Sequence, residues 1–241
     1  MIRKLNGSSS LFVSANTGFR APNIDDMGTL GIVDFRYEIP NTDLKPEHSF
    51  QYQAGYKYQG KKLRGEFYLY RNELYDLIVR TQVPGDTIDG YPVYTKENIE
   101  RVYIQGVETA WDFEFNKSWT LSGSLTYTHG QNKTKDEPVR RIPPIFGRLA
   151  LEYSLKGWWI NTELSAAGKQ ERLAAGDISD NRIPYGGTPG WYIININTGY
   201  TFRFITIDLS LQNLFNEDYR THGSGVNGCG RSAFLTVKIS L

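Results

Sequence analysis

The chain has 241 residues, of which 39% are hydrophobic, 14% aromatic and 22% charged, and its formal net charge is +1. Intermixed, nearly balanced charge leaves no nucleic-acid footprint, and no apolar run reaches the roughly 18 residues that a transmembrane helix needs. The one cysteine, Cys229, excludes an internal disulfide and reads as a loop thiol.

The chain opens on Met1, Ile2, Arg3 and Lys4 and passes straight to polar residues, without the hydrophobic segment of a signal peptide. From there a period of two, the period of a strand, recurs about ten times. Leu11, Val13 and Ala15 lead the first segment, and Phe50, Tyr52, Ala54, Tyr56 and Tyr58 oppose Gln51, Gln53, Gly55 and Lys57 in the second. The third starts near Leu63, carries Phe67 and Leu69, and runs toward Val79. In the fourth, Tyr103, Val107, Trp111, Phe113 and Phe115 oppose Gly106, Glu108, Asp112 and Glu114, so the charges sit on one face. The fifth alternates Leu121, Gly123, Leu125 and Tyr127 with Thr120, Ser122, Ser124 and Thr126. The sixth sets Leu149, Leu151 and Tyr153 against Arg148 and Glu152, and the seventh Trp158, Ile160 and Leu164 against Asn161 and Glu163. The eighth carries Tyr192, Ile194, Ile196 and Tyr200, the ninth Ile205, Ile207, Leu209 and Leu211, and the last Leu235, Val237, Ile239 and Leu241.

One face of these segments is greasy and ends in aromatic residues, whereas the other is too polar for the core of a soluble sandwich. Segments of about 9 to 11 residues suffice to cross a bilayer when tilted, which predicts an all-β, transmembrane, antiparallel up-and-down β-barrel wall. Glu108, Asp112, Glu114, Arg148, Glu152 and Glu163 then face the lumen. Tight turns are expected at 59–61, 116–118, 156–157 and 202–203, and long connections at 20–46, 81–97, 131–145, 171–190 and 214–231. Short turns on the periplasmic side and long loops outside put both chain ends in the periplasm. Backbone groups in lipid must all be paired, so about ten spanning strands require closure by themselves or by further strands.

Several motifs bear a family likeness. Gly18, Phe19, Arg20, Ala21, Pro22 and Asn23, followed by Asn41, Thr42, Asp43, Leu44, Lys45, Pro46 and Glu47, resemble the paired boxes of TonB-dependent outer-membrane receptors, the haem and siderophore branch above all. Arg140 to Pro144, Arg182 to Pro184 with Gly186 to Trp191, and Asn213, Leu214, Phe215, Asn216, Glu217, Asp218, Tyr219 and Arg220 are similar to the same family. The resemblance implies that residues 1–241 are the C-terminal part of a barrel of about 22 strands. The N-terminal barrel half and the plug would lie outside this chain. It further implies a bacterial outer-membrane location among outer-membrane lipid, no enzyme activity, a small nutrient ligand such as a siderophore or haem iron complex or a cobalamin, and energy from the TonB complex acting through the plug. The family usually ends on an aromatic residue, and this sequence ends on Leu241.

In the haem branch a histidine between the two boxes ligates iron, but residues 24–40 contain none. Tyr37 could offer a phenolate and Met27 a thioether, and with Arg36, Arg182 and His222 they are the expected ligand contacts on the long loops, Tyr37 being favoured. His48 and His129 read as strand-end residues. Asp25, Asp26 and Asp34, or Asp177 and Asp180, match no calcium loop and read as solvated carboxylates. Gly223, Gly225 and Gly228 have dinucleotide-fingerprint spacing without the helix it needs. No resident metal or cofactor and no catalytic constellation is expected. Two other architectures fit the strand count: a self-contained ten-stranded outer-membrane barrel acting as a surface protease or adhesin, and a soluble all-β binding module.

Overall fold

A computed structural model describes residues 1–240, so Leu241 and its place at the end of the last strand lie outside the described residues. In chain order the elements are β1 (Ile2–Lys4), β2 (Ser9–Arg20), α1 (Ile24–Gly28), β3 (Gly31–Val33), β4 (Arg36–Glu38), β5 (Glu47–Gln59), β6 (Leu63–Ile88) and β7 (Tyr91–Glu114). They continue with β8 (Trp119–Asn132), β9 (Glu137–Pro138), β10 (Phe146–Leu155), β11 (Trp158–Ala167), α2 (Ala175–Ile178), β12 (Trp191–Phe202), β13 (Ile205–Gln212) and β14 (Ser232–Ile239). One sheet runs β1-β2-β5-β6-β7-β8-β10-β11-β12-β13-β14, every neighbour antiparallel, so successive long strands simply go up and down.

Turn chemistry fixes the short connections. Lys156 and Gly157 both take positive φ, 49° and 84°, the pair of left-handed residues that a two-residue hairpin demands. At the β7–β8 turn the Asn116 side chain accepts from the backbone N–H of Ser118 at 2.8 Å and of Trp119 at 3.1 Å.

Register then aligns the two faces across strands. Asp112 sits opposite Ser122, Ser122 opposite Ala150, Ala150 opposite Glu163 and Glu163 opposite Asn195, with Glu108, Glu114, Arg148 and Glu152 in the same parity. These six charged residues share one polar face, the face that the sequence assigns to the lumen, and Arg148 pairs there with Glu163 at 2.8 Å. The opposite face is apolar and uncovered: Val13, Leu149, Val237 and Leu235 are 55%, 43%, 57% and 69% exposed. No second sheet packs on it among the described residues, and only Leu44, Val93, Val102, Ala150, Ala174, Ile183 and Ile193 are buried hydrophobics. A soluble module with a sandwich core is therefore not what this chain forms. Nor do the described strands close on themselves: the sheet is open, with β1 at one edge and β14 at the other.

One expected loop is instead sheet. Residues 81–97 continue β6 and β7 into a long hairpin that turns at Asp89 (φ 53°) and Gly90 (φ 79°), with register shifts after Leu74, Leu77 and Gln82. A hairpin standing beyond the bilayer needs no apolar face, so its alternation is weak, while Val79, Thr81, Val93 and Thr95 supply the β propensity. Likewise β8 reaches Asn132, five residues beyond Tyr127, and pairs with the short β9.

Candidate functional site

All the long connections emerge from the same end of the sheet, and those after β8, β11 and β13 converge above the polar face. Between them lies a cavity of about 400 Å³. Its floor is the strand wall, Phe146, Arg148, Ser165 and Ala167, and its roof is Pro143, Pro144, Pro189, Trp191, Arg220 and His222. The walls are mostly apolar with a few polar groups, the composition of a small-molecule site.

The roof is held by a chain of hydrogen bonds. Gln170 and Thr188 exchange backbone bonds at 2.9 and 3.0 Å, and the Gln170 side-chain amide donates to the Ile142 carbonyl at 2.7 Å. Thr188 is buried, 2% exposed, and its hydroxyl lies 2.8 Å from His222 Nδ1. The other ring nitrogen, Nε2, is buried without a protein partner. Burial holds the His222 pKa below the ordinary histidine value, leaving a neutral imidazole at pH 7.

Beside the cavity sits an arginine cluster. Asp180 accepts from Arg140 Nη2 at 2.7 Å, Arg141 Nη2 at 3.1 Å, and Arg182 Nε and Nη2 at 2.8 and 2.7 Å. Asp177 accepts the Arg141 backbone N–H at 3.2 Å and that of Ala174 at 3.3 Å. Far from being solvated, Asp177 and Asp180 are 1% and 8% exposed. They organise guanidiniums whose side chains remain 49% (Arg140), 44% (Arg141) and 41% (Arg182) accessible. Arg220 donates to Asn227 Oδ1 at 2.7 Å and to the Arg182 carbonyl at 3.3 Å. Four guanidiniums against two carboxylates leave the rim cationic, suited to bidentate contact with anions.

Of the expected ligand contacts, His222 lines this cavity and Arg182 stands in the arginine cluster around Asp180. Met27, Arg36 and Tyr37 lie elsewhere, on the 21–46 connection. There Asn23 and Asp26 form a capping box on α1, and β4 pairs in parallel with β7, Tyr37 opposite Val93. Arg36 is spent between Asp34 at 3.0 Å and the buried Glu38 at 3.3 Å, and Arg80 reaches the same Glu38 at 2.6 Å. The Met27 carbonyl accepts from Asn41 N–H at 3.1 Å, and Lys96 Nζ donates to the Asp25 carbonyl at 2.6 Å. At the base Arg20 forks onto Asp26 at 2.6 Å and Glu47 at 2.6 and 2.8 Å. The Arg20 hydrogen bonds hold the Glu47 carboxyl below its usual range. Burial would raise Asp26, but the Asn23 N–H and Arg20 outweigh it and lower this carboxyl too. No hydrogen bond or ion pair among the described residues joins this connection to the His222 cavity.

The motif residues turn out to be mainly architectural. Asn213, 1% exposed and at φ 48°, donates to the Glu217 and Cys229 carbonyls at 2.8 and 3.0 Å and accepts the Glu217 N–H at 2.8 Å. It ties both ends of the last connection together, while Leu214 N–H reaches the Ile194 carbonyl at 2.9 Å and Phe215 stays exposed. Leu44 is buried; Asn41 binds the Lys96 carbonyl at 2.8 Å and the Asp43 N–H at 3.0 Å. Phe19 is 76% exposed on the apolar face, and Ala21 and Pro22 lead into α1. Among the described residues no group of three or more histidine, cysteine, aspartate or glutamate side chains is placed to hold a metal.

Comparison with known proteins places this architecture. The family described as "TonB dependent receptor-like, beta-barrel" matches residues 3–214. The "Iron-regulated outer membrane virulence protein" of Vibrio cholerae serotype O1 is 26% identical over 245 residues, covering 93% of this chain and 36% of that protein. "Vitamin B12 transporter BtuB" of Vibrio vulnificus is 27% identical over 232 residues, covering 93% of this chain and 34% of the other. The solved structure of "Copper transporter OprC" superimposes with a TM-score of 0.81 at 22% identity, covering 100% of this chain and 38% of that one. The chain thus spans little more than a third of each of these proteins. With a family match across 3–214 and an open up-and-down sheet apolar on one face, the chain belongs to the TonB-dependent receptors, as a segment of their outer-membrane β-barrel.

Proposed function

We propose that this chain is the C-terminal barrel segment of a receptor that takes up a small nutrient complex, an iron siderophore or haem or a relative of these, across the outer membrane. Its polar face would meet a plug supplied from outside this chain, and the plug would couple to the TonB complex. The observation that carries the reading is the cavity under His222, at the long-loop end of the polar face, flanked by Arg140, Arg141, Arg182 and Arg220. The apolar wall would hold the body of a chelate, the guanidiniums its negative charge, and His222 Nε2 a single hydrogen bond. The Thr188 hydroxyl on His222 Nδ1 is buried under the roof, and no carboxylate among the described residues backs the free His222 Nε2, so binding and passage rather than catalysis is the role assigned. Tyr37, with Arg36 and Met27, stands on a separate rim and is assigned at most a peripheral contact.

The test uses the intact receptor in detergent and a panel of ferric catecholate, ferric hydroxamate, haemin and cyanocobalamin. Charged hydrogen bonds contribute about 1.5–3 kcal/mol each, so Arg140→Ala with Arg182→Ala should weaken the bound complex by roughly tenfold or more. Tyr37→Phe should change little. Binding of every panel member unaltered by the arginine pair would overturn this assignment.

A further inference from the structure

The connections after β11 and β13 enclose a second, smaller cavity of about 230 Å³ beside the first. Pro189, Trp191 and Arg220 line both, so the two chambers are neighbours with a shared partition. Pro184, Trp191 and Tyr219 give the smaller chamber its apolar surface, the two aromatic rings tilted at 46° with centres 4.7 Å apart. Tyr219 lies over Gly228, where any Cβ would strike the ring, and the Gly228 N–H donates to the Tyr219 carbonyl at 2.8 Å, which fixes this wall. The charged residues lining the chamber are Asp218 and Arg220, joined through Asn227. Arg220 Nε donates to Asn227 Oδ1 at 2.7 Å, and Asn227 Nδ2 donates to Asp218 Oδ1 at 2.7 Å. Arg220 Nη1 donates to the Arg182 carbonyl at 3.3 Å. Among the described residues Arg220 Nη2 has no acceptor, Asp218 Oδ2 has no donor, and no cation pairs with Asp218.

One carboxylate and one guanidinium in so small a chamber select against charged groups. An ammonium meets Arg220, a carboxylate meets Asp218, and such like-charge contacts reject wrong partners. A zwitterion needs a guanidinium fork for its carboxylate, and each fork of Arg220 already has one nitrogen, Nε or Nη1, taken. Hydroxyls both donate and accept. Two of them satisfy Asp218 Oδ2 and Arg220 Nη2 together, while the Trp191 and Tyr219 wall takes an apolar ring face. A sugar ring offers both. We infer that the smaller chamber holds a sugar carried by the nutrient complex, which makes the ligand bipartite: a chelating body under His222 and a hexosyl arm beyond Trp191. The inference deepens the proposed function and rests on it for what fills the larger cavity.

The experiment uses the intact receptor in detergent and three probes: a synthetic ferric catecholate, the same chelate bearing a glucosyl group, and methyl glucoside alone. Calorimetric titration should show the glucosylated chelate bound about tenfold or more tighter than the plain one, the gain expected of hydrogen bonds to charged groups. Asp218→Ala should abolish that gain and leave the plain chelate bound as in the parent, which separates loss of the sugar contact from misfolding. Arg140→Ala with Arg182→Ala should weaken both chelates alike and keep their ratio. Methyl glucoside should give a saturation-transfer NMR signal with the parent receptor and none with Asp218→Ala. This arm needs no chelate, so it reads the sugar pocket even where the nutrient site fails and neither chelate binds. Equal affinity for two bound chelates, or no signal from methyl glucoside, would overturn the inference. Methyl glucoside bound as tightly as the glucosylated chelate would make the pocket one for free sugar and overturn the bipartite ligand. Displacement of methyl glucoside by millimolar glycine would make it a zwitterion site and overturn the sugar assignment as well.

Discussion

At Gly187 the backbone runs at φ +105°, and a Cβ there would meet the Gln170 carbonyl oxygen at 1.9 Å. The neighbouring Thr188 pairs with Gln170 and holds His222, so this glycine sets the roof of the cavity. A side chain would be strained both by dihedral angle and by collision with main chain. Gly187→Ala is expected to cost about 1–3 kcal/mol locally, opening the 171–190 connection to limited proteolysis of the intact receptor. A digestion pattern like that of the parent would show that the roof does not depend on this approach. Asn213 makes the same point: its motif was readable in sequence, but its bonds to Glu217 and Cys229 needed the folded connection to bring them together.

At the scale of elements, the 21–46 connection is fastened to β2 and β5 by Arg20 and to the β6–β7 hairpin by Glu38, Lys96 and Asn98. Glu47 and Asp26 have folded-state pKa values below their ordinary ones, so the unfolded connection binds more protons in acid. Their contribution is complete above the ordinary carboxylate range and is lost as pH falls through the lowered folded values. Arg20 is 46% exposed, which limits the effect to about 1 kcal/mol or less. Amide protection factors over 23–46 should therefore decline below about pH 4, and Arg20→Gln should remove most of that dependence. A flat profile in the parent receptor would sink the idea. The same hairpin marks a limit of pattern reading: alternation reports a lipid-facing wall, and where β6 and β7 outrun the bilayer that signal fades although the strands continue.

For the whole molecule, the apolar side of the sheet has no protein partner among the described residues, which suits it to lipid, while β1 and β14 leave the edges that further strands would pair with. Leu209 on that face and Ser210 beside it on the polar face test the assignment. Leu209→Arg should destabilise the reconstituted receptor by about 2–4 kcal/mol, and Ser210→Arg far less, in urea unfolding from vesicles. Equal costs would contradict the two-faced wall. The sequence by itself determined the period of two, which residues share a face, and where the tight turns fall, because these follow from local chemistry: side-chain alternation, Asn and Gly at turns, and the length that crosses a bilayer. Only the tertiary structure decided that Arg140, Asp177, Asp180, Arg182 and His222 meet, and that Tyr37 does not join them. Loop contacts depend on the order of strands in the sheet and on buried carboxylates such as Asp180 gathering side chains from separate connections, and neither is written in any local pattern.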